Sequence, residues 1–316
     1  MASALKTYGT LIGFVLVVVF FWIEIPDTFM TAKNWLNISQ QVSMLAVVAF
    51  TMTIVMVMGD FDLSVGSMAS LAGIVAALAF HDGYGVGAGV ALALVIGLAG
   101  GLLNGLLVAY VGILPFVATL GTLTVYSGLA FLVSGGKTIF GRDIPVAFSG
   151  FARSGIPFSD TVSVPSLTIV AALVLLVVWF VLEQTTFGRR LYAIGGNKEA
   201  ARLAGIRVRR LRFLAFGLSG LGAAAAGLMY ASRVASANPT QGSGLMLDAI
   251  AAVFLGMTMS EEGEPHVLAT LIGVLILGVL GNGLTQMSID SYVREVLIGS
   301  IIVLAVATSS IGKARG

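Results

Sequence analysis

The chain contains no cysteine, which excludes disulfides, thiolate metal sites and a cysteine nucleophile. Histidine is nearly absent too, with only His81 and His266. Charge is scarce: Asp, Glu, Lys and Arg make up 10% of the residues, where a soluble domain carries about 25%. That shortage excludes a water-covered surface of ordinary size. Proline is rare, at 7 residues, so long helices meet few obligatory interruptions. No nucleophile or metal-ligand constellation of the kind an enzyme needs stands out. Gly135-Gly136-Lys137-Thr138 has the ending of a phosphate-binding loop, but that pattern needs glycine where Phe131 stands, so nucleotide binding by this chain is rejected.

What the chain has instead is apolar surface. Hydrophobic residues reach 58%, mean hydropathy is +1.02, and there are 40 glycines, a composition suited to membrane helices whose backbones approach closely. Apolar stretches recur near Tyr8–Ile25, Val42–Met58, Val65–Phe80, Val86–Val111, Pro115–Val133, Pro165–Leu182, Leu211–Ala231, Leu245–Met259, Val267–Leu284 and Val293–Ser309. Each is about long enough to cross ~30 Å of hydrocarbon. The expectation is an all-α polytopic membrane protein of about ten transmembrane helices, a single domain over 1–316 in the inner membrane. Lys6 and the apolar run after it do not read as a cleaved signal, because no small-x-small site closes the run.

Orientation follows from the basic residues. A connection at 183–212 carries Arg189, Arg190, Lys198, Arg202, Arg207, Arg209, Arg210 and Arg212. With Lys6, Lys313 and Arg315, a cytoplasmic position for both termini puts 11 of the 17 basic residues inside. Trp22 and Trp35 then anchor the outer end of the first span. The other long connection, about 134–164, is external, rich in Gly, Ser and Pro and poor in aliphatic residues. His81 and His266 fall in loops on opposite sides of the membrane and form no metal site. A weak internal echo relates Ala69-Ser70-Leu71-Ala72-Gly73 to Ala269-Thr270-Leu271-Ile272-Gly273, each after an acidic break, as in transporters built from repeated halves.

Polar groups inside such a bundle are the candidates for function. Gly59-Asp60-Phe61-Asp62-Leu63-Ser64 joins the second and third spans; Asp62 or Ser64 can cap the third span, and for Asp62 that role is favoured over direct contact with a substrate. Gly97, Gly101 and Gly105 share one helix face and read as tight packing. Pro115 opens the fifth span, and Thr119 and Thr122 face either a polar path or, as is commoner, their own backbone. Asp248 and Asn282 lie within or near spans, and Asp248 divides evenly between a structural and a functional role. In the basic connection a short helix has readable ends: Asn197 as N-cap, Glu199 in the first turn, Gly205 as the left-handed stop. It is too short to be stable alone. It is either a headgroup anchor or a helix docked in a protein groove; the caps and the small face of Ala200, Ala201 and Ala204 favour docking.

With these motifs in order, the chain resembles the permease subunit of bacterial ABC importers for ribose, xylose, arabinose and related sugars. The resemblance runs from about residue 30 to residue 308, through Asp62–Ser67, Leu103-Asn104-Gly105, Pro115–Thr122, Gly195-Gly196-Asn197, Glu199–Ile206, Leu247–Ala252 and Asn282-Gly283-Leu284. It implies a vitamin B12 importer-like fold, a second permease subunit (the same or another chain), a periplasmic sugar-binding protein and a cytoplasmic ATPase. The ATPase-coupling residues are then Asn197, Lys198, Glu199, Ala200, Ala201, Arg202, Leu203, Ala204, Gly205 and Ile206. Asp62, Ser64, Asn104, Phe116, Thr119, Asp248 and Asn282 are expected at the translocation path or the breaks that shape it. The cargo is a monosaccharide or related small polyol. No catalytic residue, cofactor, metal or nucleic acid is implied. Two departures stand out: Asp60 replaces a usual second glycine, and the acidic 257–266 loop replaces a glycine-rich turn. The runner-up is an ion- or proton-coupled transporter working without an ATPase, with Asp60, Asp62 and Asp248 as coupling carboxylates. A membrane-bound enzyme is the third reading and the weakest.

Overall fold

A computed structural model of the chain describes residues 2–159, 162–260, 263–300 and 303. Twelve α-helices follow in order: α1 (Ala2–Glu24), α2 (Ala32–Met56), α3 (Val65–His81), α4 (Val86–Leu106), α5 (Pro115–Ser134), α6 (Val146–Arg153), α7 (Ser166–Trp179), α8 (Thr186–Gly196), α9 (Lys198–Leu203), α10 (Val208–Val234), α11 (Leu245–Met257) and α12 (Val267–Gln286). A further helical run covers 291–300. Among the described residues, six helices are long and apolar enough to cross a membrane, and three shorter apolar ones accompany them. The chain is a multi-pass helical membrane protein. The end of the tenth expected span, Lys313, Arg315, Glu261 and Glu262 lie outside the described residues.

Helix ends obey local chemistry. The Thr31 hydroxyl accepts the Asn34 N–H at 3.2 Å and starts α2. Pro115 occupies the first turn of α5, and Gly135, at φ +60°, ends it. Short π-helical turns close α4 (Leu107–Val111) and α7 (Phe180–Gln184). The breadth of the apolar surface decides position. α2, α10 and α12 are mostly buried, whereas α4, α5 and α7 bury less than a third of their most apolar stretches. The outward residues of those three, such as Val95, Leu132 and Val177, are 60%, 76% and 61% exposed. Only a lipid or protein neighbour suits that surface.

The glycine face predicted on α4 meets α10. A Cβ on Gly105 would fall 2.7 Å from the Phe213 carbonyl oxygen, and one on Gly97 2.7 Å from that of Gly220. Gly101 is tighter still, against the Phe216 carbonyl and the Gly220 backbone. The 69–73 and 269–273 segments echo each other in packing as well as in sequence. Ala69 receives Gly227 of α10 and Ala269 receives Gly256 of α11, each without space for a side chain, while Gly73 presses on the Gln241 side chain before α11 and Gly273 on the Ala252 backbone of α11.

The structure corrects several boundaries. α2 begins ten residues before Val42, because Thr31 caps a polar first turn that hydropathy alone does not count. α10 begins at Val208, so Arg212 is a buried helical residue rather than part of a basic loop. Within the 134–164 connection the described residues form α6 and an antiparallel pair of strands, β2 (Gly155–Ser159) and β3 (Val162–Pro165). Its strand β1 (Ile139–Phe140) pairs with β4 (Ser236–Ala237) beyond α10. Among the described residues these two small sheets are the exceptions to an all-α chain.

Candidate functional site

The segment 57–64 between α2 and α3 carries two carboxylates, and each has a different partner. Asp62 is fully buried. Its Oδ1 accepts from the Ser64 N–H at 3.1 Å, the Ser64 hydroxyl at 2.7 Å and Asn104 Nδ2 at 3.4 Å. Its Oδ2 accepts from the Ser219 hydroxyl of α10 at 2.8 Å. Asn104 Nδ2 also donates to Ser64 Oγ at 2.8 Å, and its Oδ1 accepts from the Thr122 hydroxyl of α5 at 2.6 Å. One carboxylate thus ties the segment to α4, α5 and α10. No buried side-chain N or O among the described residues lacks a partner, so the network is complete, and such networks specify a unique arrangement.

This revises the expected roles. Asp62 and Ser64 do not cap the first turn of α3 with their side chains; Asp62 instead accepts the N–H of Ser64, two residues on, in an Asx-type turn. Thr119 is buried and bonds the Pro115 carbonyl at 2.7 Å, the commoner fate for a helical threonine. Thr122, three residues on, is the one whose hydroxyl bonds Asn104, while the Thr119 hydroxyl also reaches the Phe61 carbonyl at 3.4 Å. Ser219 gave no signal, being a small residue in a glycine-rich helix, and Tyr126, whose hydroxyl donates to the Gly100 carbonyl at 2.8 Å, gave none either.

Asp60 pairs with Arg212. Arg212 Nε donates to Asp60 Oδ2 and its NH2 to Oδ1, both at 2.6 Å, a two-pronged arrangement of the strong kind. Both residues are buried, at 6% and 8% exposure.

The short helix of the basic connection forms as its ends dictate. The Asn197 side chain accepts from the Ala200 N–H at 2.9 Å. Gly205 sits at φ +83°, and the Ile206 N–H reaches back to the Ala201 carbonyl at 3.0 Å, a left-handed stop. Arg202 pairs with Glu199 on the surface at 2.6 Å. The expected smooth face is open only in part: Ala200 and Ala204 are exposed, but Ala201 is not. Ala201 is buried within the chain at 5% exposure, while Leu203 stands out at 79%. Asn197, Lys198, Glu199, Ala200, Arg202, Ala204 and Gly205 are exposed, and Ile206 is half-buried. α9 rests on α8 and α10, and in a single-turn helix one side must face that support.

The remaining candidates scatter. Phe116, at the start of α5, is 57% exposed. Asp248, in the first turn of α11, is exposed and joins no side-chain hydrogen bond among the described residues. Asn282 is buried at the far end of α12, where its Oδ1 accepts from Gln286 Nε2 at 2.7 Å; Gln286 also donates to Asn34 and accepts from Thr28. That cluster joins α12 to the start of α2 and is no helix break. The departing loop before α12 is tied to α8: the Tyr192 hydroxyl donates to Glu183 at 3.0 Å and lies 3.1 Å from the Pro265 carbonyl, and His266 Nδ1 is 3.2 Å from the same Glu183 oxygen. Burial first, then the Glu183 charge, holds the Tyr192 phenol well above its ordinary range, so it stays a donor.

The chain is thus a helical membrane protein with a capped surface helix and a buried polar network beside the break between α2 and α3. The chain belongs to the family described as branched-chain amino acid transport system / permease component, whose pattern matches residues 34–306. It is 41% identical to the ribose import permease of Bacillus subtilis over 96% of this chain and 92% of that protein. It is 37% identical to the Escherichia coli ribose import permease over 89% of this chain and 87% of that protein. It is 30% identical to the E. coli D-allose transport system permease over 95% and 90% of the two chains. No solved structure matches the chain significantly. As a permease component it is not itself a catalyst.

Proposed function

We propose that the chain is the membrane permease of an ATP-driven importer for a monosaccharide or small polyol. It would work with a cytoplasmic ABC ATPase, a periplasmic sugar-binding protein and a second permease subunit. The whole chain is then one permease domain of ten spans with a vitamin B12 importer-like fold and both termini in the cytoplasm of a bacterial inner membrane. The observation that carries the coupling is α9: one capped turn, stopped by Gly205, that presents Leu203 to whatever lies beyond the membrane. An exposed leucine on a helix too short to stand alone calls for a protein groove. The sugar-permease relatives support the cargo class.

The reading without an ATPase draws less support, because two of its three candidate coupling carboxylates, Asp60 and Asp62, are engaged by partners inside the chain; Asp248 is left as its candidate. The path is best sought where two subunits face each other. Asp62, Ser64, Asn104 and Thr119 are sealed among this chain's own helices, so they shape the bundle. Phe116 and Asp248, both exposed, are the two of the expected seven that remain open to a route between subunits. The test is reconstitution in vesicles with the ATPase and binding protein. Uptake of a pentose or hexose that requires all three components and ATP is expected. Uptake driven by an ion gradient, with the ATPase absent, would replace this reading with a secondary transporter.

A further inference from the structure

The segment 57–64 is gripped twice from the α8–α10 side, and the second grip includes the Asp60–Arg212 pair. In the first, Gly195, near the end of α8, lies against the Val57 carbonyl so closely that no side chain would fit. In the second, Arg212, one turn into α10, holds both oxygens of Asp60. α9 lies between these two contacts in sequence, flanked by Gly195 and Arg212. Two residues beyond Asp60, Asp62 fastens the same segment to α4 through Asn104, to α5 through Asn104 and Thr122, and to α10 through Ser219. We infer that Asp60 and Arg212 form the positioning pair that transmits movement of the α9 region to the α2–α3 break, and through it to the helices the Asp62 network holds. The inference rests on the ATP-driven reading above.

The chemistry suits transmission better than simple adhesion. A surface ion pair yields to solvent and adds little; a buried pair with both prongs engaged resists both sliding and rotation. A buried pair is weak evidence for stability, since an apolar pair of similar volume often serves as well. Its geometric stiffness is what an apolar pair lacks. A backbone contact such as that of Gly195 on Val57 resists compression but not separation. The ion pair supplies the pull in the other direction, so the segment follows the α8–α10 side whichever way it moves.

The experiment uses the assembled transporter in proteoliposomes, reading sugar uptake and ATP hydrolysis in the same sample. The double variant Asp60→Asn/Arg212→Gln removes both charges and leaves no unpaired buried ion; Arg212→Lys keeps the charge but loses the two-pronged geometry. Both are expected to assemble with the ATPase. The sugar moved per ATP hydrolysed is expected to fall at least fivefold in the double variant and by a smaller factor in Arg212→Lys, while hydrolysis continues. An unchanged ratio in whichever variant assembles, even with both rates reduced, overturns the inference and leaves the pair as a structural clamp. If the unaltered chain shows no ATP-dependent uptake, the importer reading fails, and the inference with it.

Discussion

Asp62 shows how an acidic residue inside a membrane bundle becomes structural. Every group around it donates: a backbone N–H, two hydroxyls and an amide. Removing the acceptor strands those donors. Asp62→Ala should therefore destabilise the fold by about 1–3 kcal/mol for each abandoned buried group, read as a lower folded yield and melting temperature in detergent whatever sugar is present. If Asp62→Ala kept its stability and changed only the choice of sugar, the residue would be a substrate contact after all. Asp60 poses the opposite problem. Truncating it alone leaves a buried guanidinium without its partner, which costs about 3–5 kcal/mol in comparable sites. Asp60→Ala should thus be worse tolerated than the double neutral variant, as judged by membrane yield.

At the scale of elements, α9 divides its residues by side. Ala201 is packed inside, so Ala201→Trp should overfill that contact and destabilise the permease itself, by about 1–3 kcal/mol. Leu203→Glu should leave insertion intact. It should weaken ATPase association by roughly thirtyfold, as expected from about 2 kcal/mol of lost apolar burial, measured by co-purification at graded concentrations. Equal losses of membrane insertion in the two variants would mean that Leu203 has no partner beyond this chain. The α4–α10 contact makes a second test at this scale. Gly105→Val adds atoms where the Phe213 carbonyl already lies 2.7 Å from an ideal Cβ. The helices must separate, and the variant should fail to reach the membrane in a monodisperse form, as seen by size-exclusion chromatography. Gly121, with open space around it, should accept the same change with normal yield.

For the whole molecule, topology is the first question, and the absence of cysteine makes it easy to ask. A cysteine at Phe158, which is 83% exposed on the β2–β3 hairpin, should react with an impermeant maleimide added to intact cells. One at Lys198 should react only after the membrane is opened. The reverse pattern would invert the assigned orientation, and reaction of both from outside would break the even count of spans. The hairpin sits in the connection whose composition, rich in Gly, Ser and Pro, gave no strand pattern. Its strands are only a few residues long, and their pairing follows from contacts across the turn, which hydropathy does not record.

The pattern of apolar runs determined the membrane class and where most of the apolar helices lie, and Asn197, Glu199 and Gly205 determined the capped helix. Hydropathy, charge asymmetry and capping are local properties, legible from neighbours in the chain. The glycine ladder on α4 was legible for the same reason, since a spacing of four defines a face; its partner on α10 was not. What only the tertiary structure decided is which polar residues meet. Arg212 reads in sequence as one cation among eight in a basic stretch, and Ser219 as one small residue among many. Each acquires its role from a carboxylate about 150 residues earlier. The same holds for the burial of Ala201 and the exposure of Leu203, two residues apart on one short helix. One turn of helix has no periodicity to read, and the side that faces inward is set by α8 and α10, which support it.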